Sequence, residues 1–384
     1  MKLLFLTTIL PSKKLHGSEI ASQSFIDALN QSGCKVSVVG YSRKEDGVFE
    51  QTAQEILVKE QFIETKKAKL YPAFWFILSL IKNLPYSSAK YYSNDYISVV
   101  KSFLNDRNYD VIVVDHSQLG WLTKFIKDSD KLIFTTHNIE HEIYSQHLEN
   151  THNFIAKLIY KREADLIKEM EDKLANRANE VWTLTQHDAN YFSNVKKTGK
   201  VRVLDLPSGF AKLQEKPLIK KIDIGIIGSW PWRANEEGLQ WFLQKVYAHL
   251  PTHLSIHVAG RGAEWLTGKY SNIHYQGFVP DAQEFMAQAK VVAIPMLSGG
   301  GIQIKTLDAI ASGSAIVATP VALRGISAPP QTVKVASQPE DFANLLVSAI
   351  TSPSNPQAFD EAQDWYRARR DKFIADVASA INEL

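Results

Sequence analysis

The sequence predicts an α/β protein: two Rossmann-like, doubly wound domains that face each other across a cleft. Three observations predict it. Short β-branched runs alternate with amphipathic stretches. The runs are nearly continuous in apolar residues, as parallel strands covered on both faces must be. The alternation stops near residue 207 and restarts after 219. A chain of 384 residues is long for one core and comfortable for two.

In chain order, Leu3–Leu6, Val36–Val39, Val111–Val114, Leu132–Thr135, Val181–Leu184 and Val201–Leu204 read as the strands of a first domain, 1–207. Ser18–Gln31 reads as its first helix, stopped at Gly33 and capped by Ser18. Pro207, Gly209 and Pro217 mark a linker over 208–219. A second domain, 220–357, carries the strands Ile224–Ile227, Leu254–Val258, Ile273–Tyr275, Val291–Ile294 and Ala315–Ala318. The tail, 358–384, is charged and helical in pattern. In open sheets of this kind ligands bind beyond the carboxyl ends of the strands, so the loops that leave the strands are the places to look.

Composition narrows the function classes. Forty-three basic and 41 acidic side chains give a formal charge of +2, without the basic excess of a dedicated nucleic-acid binder. One cysteine, Cys34, excludes an internal disulfide, fits a reducing compartment and reads as a small buried residue. The start, MKLLFLTTILPSKK, has the lysine and apolar run of a short signal peptide but no small-residue cleavage site, and it reads as a first buried strand. The apolar run Tyr71–Ile81 is too short to cross a bilayer. The expectation is a cytoplasmic protein. The segment Lys66–Tyr92 mixes basic and aromatic residues around an apolar centre; it reads as a helix packed on the first sheet, or as a peripheral contact with the inner face of a membrane that admits a lipid-linked acceptor.

The most informative segment is SGGGIQIKTLDAIASGSAIVAT, Ser298–Thr319. Gly299, Gly300 and Gly301 follow a strand, and a helical run starts near Ile302 and ends at Gly313. Bare N–H groups at a helix start attract anions, and glycines let a diphosphate approach the backbone. Lys305 on the first turn adds a point charge, and Asp308, one turn on, can accept hydrogen bonds from ribose hydroxyls. The plainer reading is a glycine-rich turn before an amphipathic helix, with Lys305 and Asp308 a solvated pair. Neither G-x-G-x-x-G nor the Walker template is present, which weakens dehydrogenase and kinase readings.

The segment resembles the nucleotide-sugar signature of GT-B glycosyltransferases similar to family GT4, in the branch written as a glycine triplet, Ile-x-Ile-Lys and an acidic residue. The resemblance implies that Asp308 binds ribose. Many GT4 enzymes carry another glutamate eight positions earlier, with seven residues between the two; here Gly300 stands in its place, so the sugar is not named by the pattern. Around Ile224–Ile227, GSWPWRANEEGLQWF is similar to the first donor-domain loop of the family. That likeness puts Gly228 and Ser229 near the phosphates and Arg233 at a basic phosphate contact. Trp230 and Trp232 read as loop packing before ligand stacking. Arg261 resembles a position near the donor, and Phe278 and Val279 a loop that holds the base. Each also has an ordinary reading, as a surface arginine or a strand-to-helix turn.

In the first half, the loop SKKLHGSE after Pro11 leads into the helix. His16, Gly17 and Ser18 lie at its start, where N–H groups meet phosphate or sugar oxygens. His116 and His137 both follow strands. The resemblance makes His116 a donor-sugar contact and the run His137-Asn138 an acceptor-side loop; it also implies that the tail packs back on the first domain. The spacing of His137 and His141 suggests a metal pair, but no zinc signature or third ligand follows, and no metal or other cofactor is expected.

The resemblance therefore implies a glycosyltransferase of the hexosyltransferase type. It moves a sugar from a UDP- or GDP-sugar to a hydroxyl of a sugar, a lipid-linked or another acceptor, and retains anomeric configuration. Lys305 would support the leaving diphosphate and His116 would position the sugar. A sugar-nucleotide epimerase and a non-catalytic nucleotide-sugar binder remain open, the latter because of Gly300. No nucleic-acid partner is expected.

Overall fold

The structure, a computed structural model, describes the chain except residues 15, 45–46, 48–51, 64–67, 69, 107–108, 209–212, 214–215 and 353–354. Gly209 of the expected linker, Leu15 of the first polar loop and Lys66 lie outside the described residues. The chain divides into two compact units. Unit 1 is Met1–Leu204 with Phe373–Leu384, and unit 2 is Asp205–Lys372.

Unit 1 is built on a seven-stranded parallel sheet. Its strands are β1 (Lys2–Ile9), β2 (Lys35–Arg43), β3 (Glu55–Gln61), β4 (Val111–Asp115), β5 (Lys131–Thr135), β6 (Glu180–Thr183) and β7 (Lys200–Val203). The spatial order is β3-β2-β1-β4-β5-β6-β7. Helices α1 (Gly17–Gln31), α2 (Tyr71–Lys82), α3 (Tyr86–Ala89), α4 (Asn94–Asp106), α5 (Glu140–Asn150), α6 (Phe154–Arg177) and α7 (Gln186–Val195) connect the strands. The central strands are buried on both faces, which is why Val111–Val114 read as an unbroken apolar run. β1 pairs with both β2 and β4, so strand order reverses there. At such a reversal the connections leave in opposite directions and open a crevice at the carboxyl ends. The loop before α1 and the residue after β4, His116, leave the sheet at this point.

Unit 2 repeats the plan with six parallel strands: β8 (Ile222–Ile227), β9 (Ile256–Ala259), β10 (Ile273–Gly277), β11 (Ala289–Ile294), β12 (Ala315–Ala318) and β13 (Val333–Val335). Their order is β10-β9-β8-β11-β12-β13, with the reversal between β8 and β11. The helices are α8 (Arg233–Trp241), α9 (Ala282–Ala287), α10 (Ile304–Ala311), α11 (Pro339–Thr351) and α12 (Pro356–Asn382), the last running from unit 2 into unit 1. Gly228 follows β8 and the glycine triplet follows β11, so both loops leave the second sheet at its switch point. Two apolar clusters flank this sheet, one around Phe242, Ile256 and Phe342 and one around Phe285, Ile294 and Leu307.

Both sheets are wholly parallel doubly wound sheets, the fold class expected. Details differ. β3 and β13 were not expected: both are edge strands, β3 carries Glu55, Lys59 and Glu60, and β13 has three residues, so neither shows a buried apolar run. α1 starts at Gly17, with His16 rather than Ser18 in the extended capping position. α10 starts at Ile304, two residues later than expected, because Gly301 and Gln303 are not helical. α2 forms but does not pack flat on the sheet; it buries only Trp75 and Ser79. Cys34 is a buried free thiol whose pKa burial pushes up.

Candidate functional site

The exit of β8, the start of α8, the glycine triplet and the start of α10 meet in unit 2, and one side chain ties them. Asn235, buried on the first turn of α8, donates from its amide to the Ser229 carbonyl at 2.9 Å. Its oxygen accepts from the Lys305 ammonium. The second partner of Lys305 is the Met296 sulfur, 3.1 Å away. Both partners are neutral. Among the described residues Lys305 has no carboxylate partner, and crowding by protein pushes its pKa down to about 7. It does not pair with Asp308, so the solvated-pair reading fails. A desolvated ammonium held by neutral groups, beside a helix start with no side-chain cap, is matched by an anion.

Asp308 faces other groups. Burial pushes its carboxyl up to about 6, with Asp281 adding to the rise, while Ser208 and Gln283 hydrogen bonds favour the ionised form. An incoming hydroxyl donor would stabilise that ionised form further.

The glycines have separate reasons. Gly299 sits at φ +127, a region side chains avoid, and its carbonyl accepts from Arg324 at 2.6 Å. Gly260, after β9, sits at φ +105, where a Cβ would lie 1.8 Å from the Gly228 carbonyl oxygen. Gly300, Gly301 and Ile302 complete the turn into α10, with Gly301 buried. Trp230 is buried and donates to the Ala259 carbonyl at 3.0 Å, so it packs the loop as expected. Trp232 is exposed; its ring lies 3.7 Å from where a Cβ on Gly299 would be.

Arg233 heads α8 and is exposed, but its side chain is held by Glu237 at 2.6 Å. Glu237 also accepts from Ser298 at 3.0 Å and so joins α8 to the glycine loop. Arg261 stacks on the ring of exposed Phe278, 4.6 Å from its centroid, at the adjacent exits of β9 and β10. Val279 is half-buried and packs on the core.

The unit 1 site is built around Asp115, the last residue of β4, which is fully buried. One oxygen accepts from Thr135 at 2.7 Å and from His137 at 3.0 Å. The other accepts from Thr7 at 2.9 Å and Ser22 at 2.6 Å. Burial alone would raise its pKa, but its histidine neighbours and these hydrogen bonds hold it well below the usual carboxylate range. His116 Nε2 lies 3.4 Å from the same carboxylate, and its ring stands 4.1 Å from that of His137. Burial pushes His116 down to about 4, against the pull of Asp115. At neutral pH its imidazole is uncharged. His116 also sits at φ +76. A β-carbon is strained there, and such strain collects at functional positions.

Asp115, His116 and His137 bring potential ligand atoms within 4.8 Å of one another. The Asp115 oxygens, however, are occupied by four protein donors, which a cation would have to displace. His141 is turned away and bonds Glu171 at 2.9 Å, so the His137–His141 spacing does not make a metal pair. Glu171 also accepts from the Glu140 and His141 N–H groups and caps α5. Glu140 follows the His137-Asn138 loop. Burial and the nearby Glu171 push its carboxyl up to about 7, opposed by hydrogen bonds from Gln118 and Asn138. The Asn138 side-chain oxygen is buried without a hydrogen-bond partner. His16 and Gly17 stand at the start of α1, which has no side-chain cap and whose first residues, Gly17 and Ser18, are exposed.

Sequence reasoning missed Asn235, Glu237, Arg324, Ser208, Gln283 and Glu140. Asp115 carried a legible signal, a carboxylate ending a buried strand, beside the histidine that stood out.

Residues 221–352 match the family model described as Glycosyl transferases group 1. No curated protein sequence matches the chain. Among solved structures, the chain is similar to sucrose-phosphate synthase from Thermosynechococcus elongatus, with 16% identity, a TM-score of 0.68, and 100% and 98% of the two chains covered. Anabaena HepE in complex with UDP-glucose is similar at 16% identity and a TM-score of 0.65, with 100% of both chains covered. The DNA modifying enzyme beta-glucosyltransferase, solved with and without uridine diphosphoglucose, is similar at 12% identity and a TM-score of 0.52, with 100% and 99% covered. The chain thus has the GT-B fold, and residues 221–352 carry its sequence similarity to the glycosyl transferases group 1.

Proposed function

We infer that the chain is a glycosyltransferase that moves a sugar from a nucleoside-diphosphate sugar to an acceptor hydroxyl. The observation that carries this reading is Lys305: an ammonium with neutral partners, next to the uncapped start of α10 and the glycine turn, inside the matched residues. In it, Gly228, Ser229, Gly299, Gly300, Gly301, Ile302 and Lys305 hold the diphosphate, with Arg233 released from Glu237. Arg261, Phe278 and Val279 hold the base, and Asp308 the ribose. Solved structures of this fold bound to UDP-glucose support a uridine nucleotide.

In the transfer, the bond from the anomeric carbon to the diphosphate oxygen breaks as the acceptor oxygen bonds that carbon. Lys305 and the backbone N–H groups stabilise the charge growing on the leaving diphosphate. The leaving phosphate takes the acceptor proton, on the same face, so configuration is retained. His116, neutral at pH 7, positions the sugar as a hydrogen-bonding group, oriented by Asp115. His16, His137 and Asn138 belong to the acceptor side. No metal enters this account.

Gly300 favours one alternative, a binder without turnover, because it offers no side chain to the sugar. Incubation with UDP- and GDP-sugars and a panel of hydroxyl acceptors separates the two. Acceptor-dependent nucleotide release with one product anomer supports transfer. Binding without release supports the binder, and an isomerised nucleotide sugar points to epimerisation.

A further inference from the structure

Exposed apolar side chains are not scattered over this protein. Of eighteen exposed large apolar residues among those described, eleven lie in two short spans of unit 1, residues 70–81 and 154–159. The first is α2 and its leading residue; the second is the first two turns of α6. In α2 the exposed side chains include Phe74, Ile77 and Ile81, the last 73% exposed; in α6 they include Ile155, Leu158 and Ile159.

The two spans are one surface. Arg162 of α6 donates to the Ser79 hydroxyl at 2.9 Å and the Ser79 carbonyl at 3.0 Å, fixing α6 against the last turns of α2. Glu163, its neighbour, accepts from the Tyr86 and Ser87 N–H groups and locks α3 to the same helix. Counting back from Arg162 by three, four and seven residues reaches Ile159, Leu158 and Ile155, so the stripe that meets α2 continues as exposed apolar surface. Isolated exposed apolar residues need no explanation; a contiguous patch of this kind marks a surface that is covered in use.

The charges say by what. Residues 70–90 and 151–162 contain five cations and no Asp or Glu. Lys161 pairs with Asp165 outside this stretch, Arg162 is held by Ser79 and Lys90 lies over Trp75 and Tyr86, so the exposed cations beside the apolar side chains are Lys82 and Lys157. A second copy docked by a two-fold axis would set this patch against itself, opposing its own cations. A negatively charged lipid surface takes the apolar side chains into its acyl boundary and pairs headgroups with the lysines. No helix among the described residues is long and apolar enough to cross a membrane, so the contact is lateral.

We propose that α2 and the first two turns of α6 form a docking surface for an anionic lipid bilayer. The proposal stands on this surface alone and does not depend on the transferase reading.

The test is co-sedimentation of the full chain with vesicles of phosphatidylcholine alone and of phosphatidylcholine with phosphatidylglycerol. Binding to the mixed vesicles, weakened by added salt and by omission of phosphatidylglycerol, is expected. The double variants Phe74→Ser/Ile77→Ser and Ile155→Ser/Leu158→Ser should each weaken it by about tenfold or more. All four side chains are exposed, so the variants should fold, and thermal melts check that they do. Three results overturn the proposal. One is no binding to mixed vesicles. Another is binding that folded variants keep. The third is a wild-type dimer that both variants dissociate, which assigns the patch to a second copy.

Discussion

Lys305 donates its ammonium to the carboxamide oxygen of Asn235, whose amide in turn donates to the Ser229 carbonyl. The strand exit that should meet a phosphate and the cation that should neutralise it are thereby held by one neutral side chain. A carboxylate at position 235 would satisfy Lys305 internally and remove its demand for a ligand. Lys305→Ala should therefore weaken UDP-sugar binding by about 1.5–3 kcal/mol, as loss of a charge-assisted hydrogen bond does. Asn235→Asp should weaken it as well, through the added negative charge. Titration calorimetry on both variants checks this; unchanged affinity in Lys305→Ala removes the assigned role.

Protonation supplies a second handle on the same residue. With its pKa near 7 in the free protein, Lys305 is largely neutral at pH 8. A bound diphosphate favours the ammonium and raises that pKa. Binding at pH 8 should therefore take up a proton, and Lys305 should make affinity fall as pH rises above about 7, with little effect below it. Calorimetry in two buffers of different ionisation enthalpy measures the uptake directly. The Lys305→Ala variant should show less.

The backbone of His116 carries strain that can be read apart from its imidazole. Alanine and glycine at 116 both remove the ring, but only glycine accepts φ +76 without cost. His116→Gly should be more stable than His116→Ala by about 1–3 kcal/mol in urea unfolding. Both should lower turnover. Equal stability would mean the strain is relieved elsewhere.

Glu140 titrates near neutrality because it is buried close to Glu171. Its folded pKa is raised, so the folded state binds its proton more tightly than the unfolded state. Stability linked to this group is largest below the unfolded value of a glutamate and falls as pH rises to about 7. Glu140→Gln should lose that fall, and at pH 8 it should be the more stable protein. Urea midpoints at several pH values report the difference.

The exposed ring of Phe278, braced by Arg261, should stack the nucleotide base. Phe278→Ala should leave thermal stability nearly unchanged, since the ring is 56% exposed. It should reduce nucleotide affinity by about 1–3 kcal/mol.

Much of the fold was legible because parallel strands buried on both faces announce themselves as apolar runs, as Val111–Val114 and Val291–Ile294 do. The charged edge strand Glu55–Gln61 and the three-residue strand Val333–Val335 have no such pattern. Gly299–Lys305 stood out because glycine spacing and a following lysine are local features. The partners of Lys305 were hidden because Asn235 is seventy residues away in sequence and enters only through the packing of α8. Glu237, which holds Arg233, lies one helical turn from it, so the i,i+4 ion pair was readable; the sequence reading holds Arg233 evenly between a phosphate contact and an exposed turn arginine and omits the pair. The apolar faces of α2 and α6 lie far apart in sequence, so only the Arg162–Ser79 contact reveals one surface.

The central claim is that unit 2 binds a nucleoside-diphosphate sugar at the Gly299–Asp308 segment. Calorimetric titration of the full chain at pH 6.5 with UDP-glucose and other UDP- and GDP-sugars, alongside Lys305→Ala, tests it most directly. Saturable one-to-one binding of at least one of them, weakened about tenfold or more in the variant, is expected. Absence of binding for every nucleotide sugar, or equal affinity in the variant, would contradict it.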